Sequence, residues 1–213
     1  MGILAITSRG FGRLRTRGLA DVVQHGSGVV ATTYLDLRYG RKLCKWHFDS
    51  NKEREGHNIN GPTSYAVLRA IFDRVSISRN DVLVDVGCGD GRVINFWLSR
   101  SIKNRIIGIE ANPQVARDAT VRYSRFPNVK IVEGFAEKVA RQLGGTIFYL
   151  YSPFSEKILV DFEQTLRGSS ARIIYCDFHV LTPFENAAWN IEIVRQTEPF
   201  QYQCAYISSA NSG

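Results

Sequence analysis

The sequence has few of the residues that build metal or disulfide scaffolds, and it lacks a long apolar run. It contains four cysteines among 213 residues, and none of them forms a Cys-x-x-Cys pair or stands at zinc-binding spacing from the four histidines. We therefore expect no bound metal, no disulfide framework and a reducing, cytoplasmic location. No window of about eighteen uninterrupted apolar residues is present, so we predict no membrane span.

Acidic residues are scarce at the N-terminal end. Residues 1–50 hold eight Lys and Arg against three Asp and Glu, a balance of +5 within a net charge of +7. We predict that residues 1–32 form a weakly ordered basic arm. This arm is a solvated tail, a site for phosphate or an acidic protein surface, or an organelle-targeting leader. Residues 33–61 are rich in aromatic side chains, so we expect them to wrap the domain or to form a lid over its site.

From residue 62 onward the pattern becomes regular, as expected of one globular domain over residues 62–213. Short apolar runs alternate with helix-like segments, which predicts a parallel sheet with helices on both faces. The last two runs have no helix-length segment between them, so they should pair as an antiparallel hairpin. The predicted strands cover residues 82–86, 106–109, 129–132, 146–151, 172–176, 191–194 and 202–207.

The most informative segment begins in the first predicted strand and reads VDVGCGDGR. Its glycines, Gly87, Gly89 and Gly91, permit a tight turn on which a ligand can lie against bare backbone. Asp85 offers a carboxylate for a ligand's ammonium group. Glu110, at the tip of the next strand, can accept hydrogen bonds from both hydroxyls of a ribose. The turn and the two carboxylates together predict a nucleoside-binding site.

Three segments resemble the motifs of class I S-adenosylmethionine (SAM)-dependent methyltransferases. VDVGCGDGR resembles their first motif, IIGIEANP resembles their second, and NVKIVEGFAE is similar to the stretch after their third strand. The run Pro-Thr-Ser-Tyr ahead of the first strand is similar to small uncharacterised methyltransferases and, more distantly, to lysine methyltransferases of the Dot1 kind. The resemblance covers residues 62–207. It implies an α/β, Rossmann-like sheet of seven strands, mostly parallel with a C-terminal antiparallel hairpin.

The resemblance also implies SAM as the cofactor and assigns residues to it. Asp85 and the glycine turn would hold the methionine part, and Glu110 would hold the ribose. Cys88 lies inside the turn, where we expect a small filler rather than a reactive thiol. The implied cofactor-binding residues are Asp85, Gly87, Cys88, Gly89, Gly91, Glu110, Ala111, Phe135 and Ala136.

The adenine end of this implied site departs from the family pattern. Ala111 and Phe135 would flank the adenine, and the backbone of Ala136 would read its edge. The family often has an acid in the slot of Phe135, where it bonds the adenine amine. Here Phe135 would stack on the base, or serve only in core packing. Recognition of the amine would then fall to the backbone or to Glu133 and Glu137.

The acceptor side follows the fourth predicted strand, in the run Tyr-Ser-Pro-Phe. Amino-methylating members of the family have an Asn/Asp-Pro-Pro-aromatic run there, and this chain has Tyr151 and Ser152 in the first two slots, with Phe154 as the aromatic. The resemblance favours N-methylation, while a Ser-Pro strand-to-helix turn explains the same residues. If a proton must be removed, the candidates are Tyr151, Asp177 and His179.

We therefore predict a SAM-dependent methyltransferase with an unidentified acceptor, preferably a protein or RNA nitrogen. Methyl transfer from a sulfonium is an in-line displacement, so positioning and water exclusion supply most of the rate and no nucleophilic residue is required. The alternatives are a small-molecule methyltransferase and a non-catalytic SAM- or nucleotide-binding module. A nucleotide-binding oxidoreductase is disfavoured by the spacing of the glycines and by the terminal hairpin.

Overall fold

A computed structural model of the chain describes residues 28–45, 61–152, 154–198 and 201–209. Residues 1–27 of the predicted arm and residues 46–60 of the predicted wrapping segment lie outside the described residues. The described parts of those two segments are helical over residues 28–35 and continue into a π-helical turn, Asp36–Gly40.

Seven strands form one sheet in the order β3-β2-β1-β4-β5-β7-β6. The first five strands are parallel, and β7 runs antiparallel to both β5 and β6. This confirms the Rossmann-like sheet with a C-terminal antiparallel hairpin. The strands are β1 Val82–Val86, β2 Arg105–Glu110, β3 Val129–Glu133, β4 Ile147–Tyr151, β5 Arg172–Cys176, β6 Asn190–Gln196 and β7 Tyr202–Ser208.

Helices connect the strands and cover the sheet on both faces. Within the described residues no helix has both the length and the hydropathy needed to cross a membrane. The helices are α1 (28–35), α2 Tyr65–Phe72, α3 Arg92–Ser99, α4 Pro113–Tyr123, α5 Ala136–Val139, α6 Glu156–Leu166 and α7 Thr182–Asn186.

Two helix starts follow directly from local sequence signals. Ser64 caps α2, because its hydroxyl accepts a hydrogen bond from the Val67 N–H at 3.3 Å. Asn112 caps α4 by accepting from two backbone N–H groups, and Pro113 occupies the first helical position, where its missing N–H removes no bond. Both α2 and α4 therefore begin at residues that favour a helix start.

Two apolar clusters hold the layers together, one on each face of the sheet. Helices α5, α6 and α7 pack on the face of Val84 and Phe148, and α2, α3 and α4 pack on the face of Leu83 and Tyr149. Neighbouring residues of β1 point to opposite faces, so an unbroken apolar strand serves both clusters. The N-terminal helix α1 lies on the second face, where Leu35 packs against the cluster.

The cysteines correct one sequence-based expectation. We expected no disulfide framework, but the structure joins Cys176 and Cys204 in a disulfide. These residues are 28 apart in sequence, a spacing that matches no motif. They meet because β5 and β7 pair antiparallel with Cys176 directly opposite Cys204. The cysteine pattern therefore no longer supports the expectation of a reducing compartment.

Reduction of this disulfide is expected to lower the free energy of unfolding by about 3 kcal/mol, because a cross-link over this separation removes loop-closure entropy from the unfolded chain. Urea unfolding with and without a dithiol reductant measures the difference. The double substitution Cys176→Ser/Cys204→Ser should show no response to reductant. An equal response of that variant and the wild type would contradict the assignment, since only Cys44 and Cys88 remain as free cysteines.

Candidate functional site

The glycine turn lies at the carboxyl edge of the sheet and is pinned to the neighbouring strand. The N–H groups of Gly87 and Cys88 both donate to the Ile109 carbonyl oxygen at 2.9 Å. Gly91 adopts φ 82°, and a Cβ there would overlap the Tyr123 side chain. Left-handed backbone with no room for a side chain explains why this position requires glycine.

Asp85 and Glu110 lie together beside this turn. Register pairs Asp85 with Gly108, which places Glu110 two residues further along the neighbouring strand. Asp85 is 3% exposed, and its Oδ2 has no hydrogen-bond partner. Burial, together with the charge of Glu110, raises the pKa of Asp85 to about 8. The Asp85 carboxyl is therefore largely protonated at neutral pH until a cation stabilises its charge.

Glu110 is oriented by backbone groups of the two loops that flank it. Its Oε2 accepts from the Gly89 N–H at 2.9 Å, and its Oε1 accepts from the Asn112 N–H at 2.7 Å. Each carboxylate oxygen retains a second lone pair that can accept a ligand hydroxyl. The pair of carboxylates therefore suits a ligand with a cationic group at one end and a diol at the other.

The residues assigned to adenine lie next to Glu110. The Gly134 N–H donates to the Glu110 carbonyl oxygen at 2.9 Å, which brings the start of α5 to the site. Phe135 is half-buried, with the Lys138 ammonium 4.9 Å from its ring centre. Ala136 is buried within the core cluster. Glu137 carries a buried Oε2 without a hydrogen-bond partner, whereas the side chain of Glu133 is exposed.

A buried ion-pair network attaches the N-terminal segment to the turn. Asp36 is fully buried and receives three hydrogen bonds, from Tyr65 Oη at 2.6 Å, Arg92 Nη2 at 2.8 Å and the Cys44 N–H at 3.0 Å. Burial opposes the charge of Asp36, but these donors outweigh it and lower its pKa below the usual value. Arg92 immediately follows Gly91, so this network fixes the end of the glycine turn to the N-terminal segment.

A second contact between the same elements involves Asp90, which lies inside the turn. Its carboxylate accepts from Lys42 Nζ at 2.9 Å, from Arg122 Nη2 at 3.2 Å and from the Lys45 N–H at 3.1 Å. The side chain of Asp90 is 2% exposed, so these bonds are shielded from solvent. Sequence reasoning missed Asp36, Lys42 and Arg122. The aromatic content of residues 33–61 was a signal for Asp36 and Lys42, whereas nothing in the sequence pointed to Arg122.

The acceptor-side residues lie at the ends of the next two strands. Register pairs Asp85 with Tyr149, so Tyr151 stands two residues further out on β4, directly opposite Cys176 of β5. Ser152 and Asp177, which follow these strands, both have positive φ, 40° and 49°. Left-handed conformations at non-glycine residues are strained, and such strain concentrates at functional sites.

The structure does not bring all acceptor-side candidates to one surface. Phe154 is buried, and its ring packs 5.4 Å from that of Phe162. Asp177 and His179 are exposed, and Tyr151 is half-buried. Burial and the neighbouring Asp177 raise the pKa of Tyr151, so its hydroxyl stays neutral at physiological pH. At this edge Asp177 supplies the negative charge.

No family profile matches the chain. A protein-lysine N-methyltransferase from Saccharolobus islandicus is 24% identical over 141 residues, which cover 64% of this chain and 83% of that protein. A probable cobalt-precorrin-6B C(15)-methyltransferase (decarboxylating) from Archaeoglobus fulgidus is 35% identical over 71 residues, 33% of this chain and 41% of that protein.

Solved structures show the same fold. Precorrin 8w decarboxylase from Methanobacterium thermoautotrophicum superposes with a TM-score of 0.54 at 18% identity, covering 71% of this chain and 93% of that one. Precorrin-6y C5,15-methyltransferase from Geobacter metallireducens gives a TM-score of 0.54 at 16% identity, with coverage of 70% and 90%. The chain therefore has the Rossmann-like fold of these methyltransferases, and its motifs and sequence relatives make it similar to the class I SAM-dependent methyltransferases.

Proposed function

We propose that this methyltransferase transfers the methyl group of SAM to an amine nitrogen of a protein, with a lysine side chain as the acceptor. The observation that carries the proposal is the exposed carboxylate of Asp177, next to the Tyr151 hydroxyl and at the strand edge that holds Asp85. A carboxylate at the rim attracts a lysine ammonium. The protein-lysine N-methyltransferase from Saccharolobus islandicus, which aligns over 64% of this chain, supports the same class of acceptor.

The cofactor assignment rests on buried groups that lack partners. Asp85 Oδ2 would accept a hydrogen bond from the ammonium of the methionine part, which would restore the charge that burial suppresses. Glu110 would accept from the ribose hydroxyls with its remaining lone pairs. Glu137 Oε2, which is buried and has no partner, would accept a hydrogen bond from the adenine amine beside Phe135. Ala111 and Ala136 would lie next to the adenine ring.

SAM supplies an electrophilic methyl group on a sulfonium, and the protein's task is to present a neutral amine in line with it. The lysine ammonium would first release one proton, and the resulting amine lone pair would then form the new N–C bond while the S–C bond breaks, which leaves a methylammonium group and a neutral thioether. Asp177 is the anion that can accept that proton, directly or through water, whereas Tyr151 stays protonated and can orient the amine through its oxygen.

Incubation of a cell extract with isotopically labelled SAM and the purified protein tests the acceptor class. We expect the label in protein, on lysine after acid hydrolysis. Prior chemical acetylation of the extract's lysines should remove the signal. Label found in RNA or in small molecules, with none in protein, would contradict the proposed acceptor and leave the cofactor site standing.

Asp177→Asn is expected to lower kcat/KM for the protein acceptor by about 10²-fold, the usual contribution of a positioned proton acceptor. The affinity for SAM, measured by calorimetry, should not change, because Asp85 and Glu110 remain. The matched control is His179→Gln, since His179 is exposed two residues away. An equal loss in both variants, or a loss of SAM affinity in Asp177→Asn, would argue against the role of Asp177.

A further inference from the structure

One helix of the molecule carries apolar side chains on the side that faces solvent. Val30, Tyr34 and Leu37, which we call the outer stripe, are 70%, 61% and 49% exposed. Their spacing of four and three residues places them on one side of α1 and the turn after it. Of the seven large hydrophobic side chains exposed in the described part of the chain, five lie within residues 28–45. Apolar exposure concentrated in this way marks an interaction surface.

The opposite side of the same helix is fixed to the domain, so the outer stripe cannot turn inward. Asp36 is held by the buried hydrogen bonds described above, and a Cβ at Gly40 would lie 2.8 Å from the Asn95 amide nitrogen. Leu35 and Tyr39 pack against the apolar cluster beneath. Rotation of the helix would break a buried ion pair, which strongly opposes it.

Arginine side chains flank the outer stripe. Arg125 of the loop after α4 donates to the carbonyl oxygens of Arg38 and Tyr39, both at 2.8 Å, and so lies beside the end of the stripe. Burial and the charges of Arg41 and Arg38 lower the pKa of Arg125. No carboxylate of the described residues forms an ion pair with these three arginines, which we call the basic cluster.

We propose that the outer stripe and the basic cluster dock this protein on the surface of an anionic phospholipid bilayer. A helix with apolar side chains on its exposed side and cations at one flank matches the boundary between lipid headgroups and acyl chains. Arginine guanidiniums pair well with phosphate oxygens. A nucleic acid would satisfy the basic cluster but would leave Val30 and Leu37 exposed to water. The bilayer accommodates both features.

Co-sedimentation of the full-length chain with lipid vesicles tests this proposal. We expect binding to vesicles of phosphatidylcholine with about a third phosphatidylglycerol, weak binding to phosphatidylcholine alone, and loss of binding as salt is raised. The variant Val30→Ser/Tyr34→Ser/Leu37→Ser is expected to lower the partition coefficient at least about tenfold. Its SAM affinity should equal that of the wild type, which shows that it is folded.

Two further variants separate the docking surface from other sources of binding. Ile193→Ser removes an apolar side chain, 41% exposed on the edge strand β6, and should sediment like the wild type. Replacement of the four arginines within residues 9–17 by glutamine tests the N-terminal arm. Equal sedimentation of the wild type and the triple-serine variant would overturn the proposal. The proposal would also be overturned if the arm variant lost all binding while the triple-serine variant lost none. Absence of wild-type binding to anionic vesicles would overturn it as well.

Discussion

Asp85→Asn is expected to raise the Kd for SAM at least about 30-fold. Loss of one partner of a buried charged hydrogen bond weakens binding by about 2–5 kcal/mol. The substitution keeps the size of the side chain and removes only the charge, so the turn should keep its shape. Isothermal titration calorimetry measures the change. Asp73→Asn, which alters an exposed carboxylate on the loop after α2, should bind SAM like the wild type.

Protonation gives a second signature of the same carboxylate. With a pKa of about 8 in the free protein, Asp85 is mainly protonated at pH 7 and must release its proton to hold an ammonium. Titrations of SAM in buffers of different ionisation enthalpy should therefore show about one proton released by the wild type and none by Asp85→Asn. Equal proton release by both proteins would contradict the assignment of Asp85 as the ammonium ligand.

In the absence of SAM, the same carboxyl group should make the folded protein less stable as the pH rises. Because the folded-state pKa of Asp85 lies above its unfolded value of 3.8, the native state binds the extra proton between these two values, and stability falls as pH rises from about 4 to 8. Asp85→Asn has no such charge to bury. Without SAM, its melting temperature should exceed that of the wild type by more at pH 8 than at pH 5.

Asp36→Ala is expected to lower the free energy of unfolding by about 3–5 kcal/mol, because it leaves the guanidinium of Arg92 without its buried counter-charge. The fully buried Asp36 also loses bonds from the Tyr65 hydroxyl and from the Cys44 N–H. Urea unfolding at pH 7 gives the magnitude. Since the folded-state pKa of Asp36 is lowered, its stabilising effect is present above about pH 4 and disappears as pH falls through the folded-state value.

The exposed ion pair between Arg100 and Asp73 provides the matched control for Asp36. Its side chains are 42% and 51% exposed, so Asp73→Ala should change stability by less than about 1 kcal/mol. Comparable losses from Asp36→Ala and Asp73→Ala would show that the N-terminal segment is not anchored by the buried pair. Asp36→Ala should also raise the Kd for SAM more than Asp73→Ala does, because Arg92 begins the helix that follows the glycine turn.

Much of the sheet and one half of the site could be predicted from local pattern. Asp85, the glycines and Glu110 lie close to one another along the chain and at strand ends, so the rule that parallel strands end at one edge suffices to bring them together. The acceptor side of the candidate site was harder to predict from the sequence. The sequence analysis placed Phe154 in the aromatic slot of the acceptor run, whereas in the structure its ring is buried against Phe162 of α6.

The positions of the strands along the chain, the helix starts and the position of the glycine turn follow from short-range signals: apolar period, capping residues and glycine spacing. Contacts between distant segments needed the folded chain. Asp36 is 56 residues from Arg92, and Cys176 is 28 from Cys204; no spacing rule pairs either couple. Their meeting depends on which strands neighbour each other and on where α1 docks, and these are set by packing of the whole molecule.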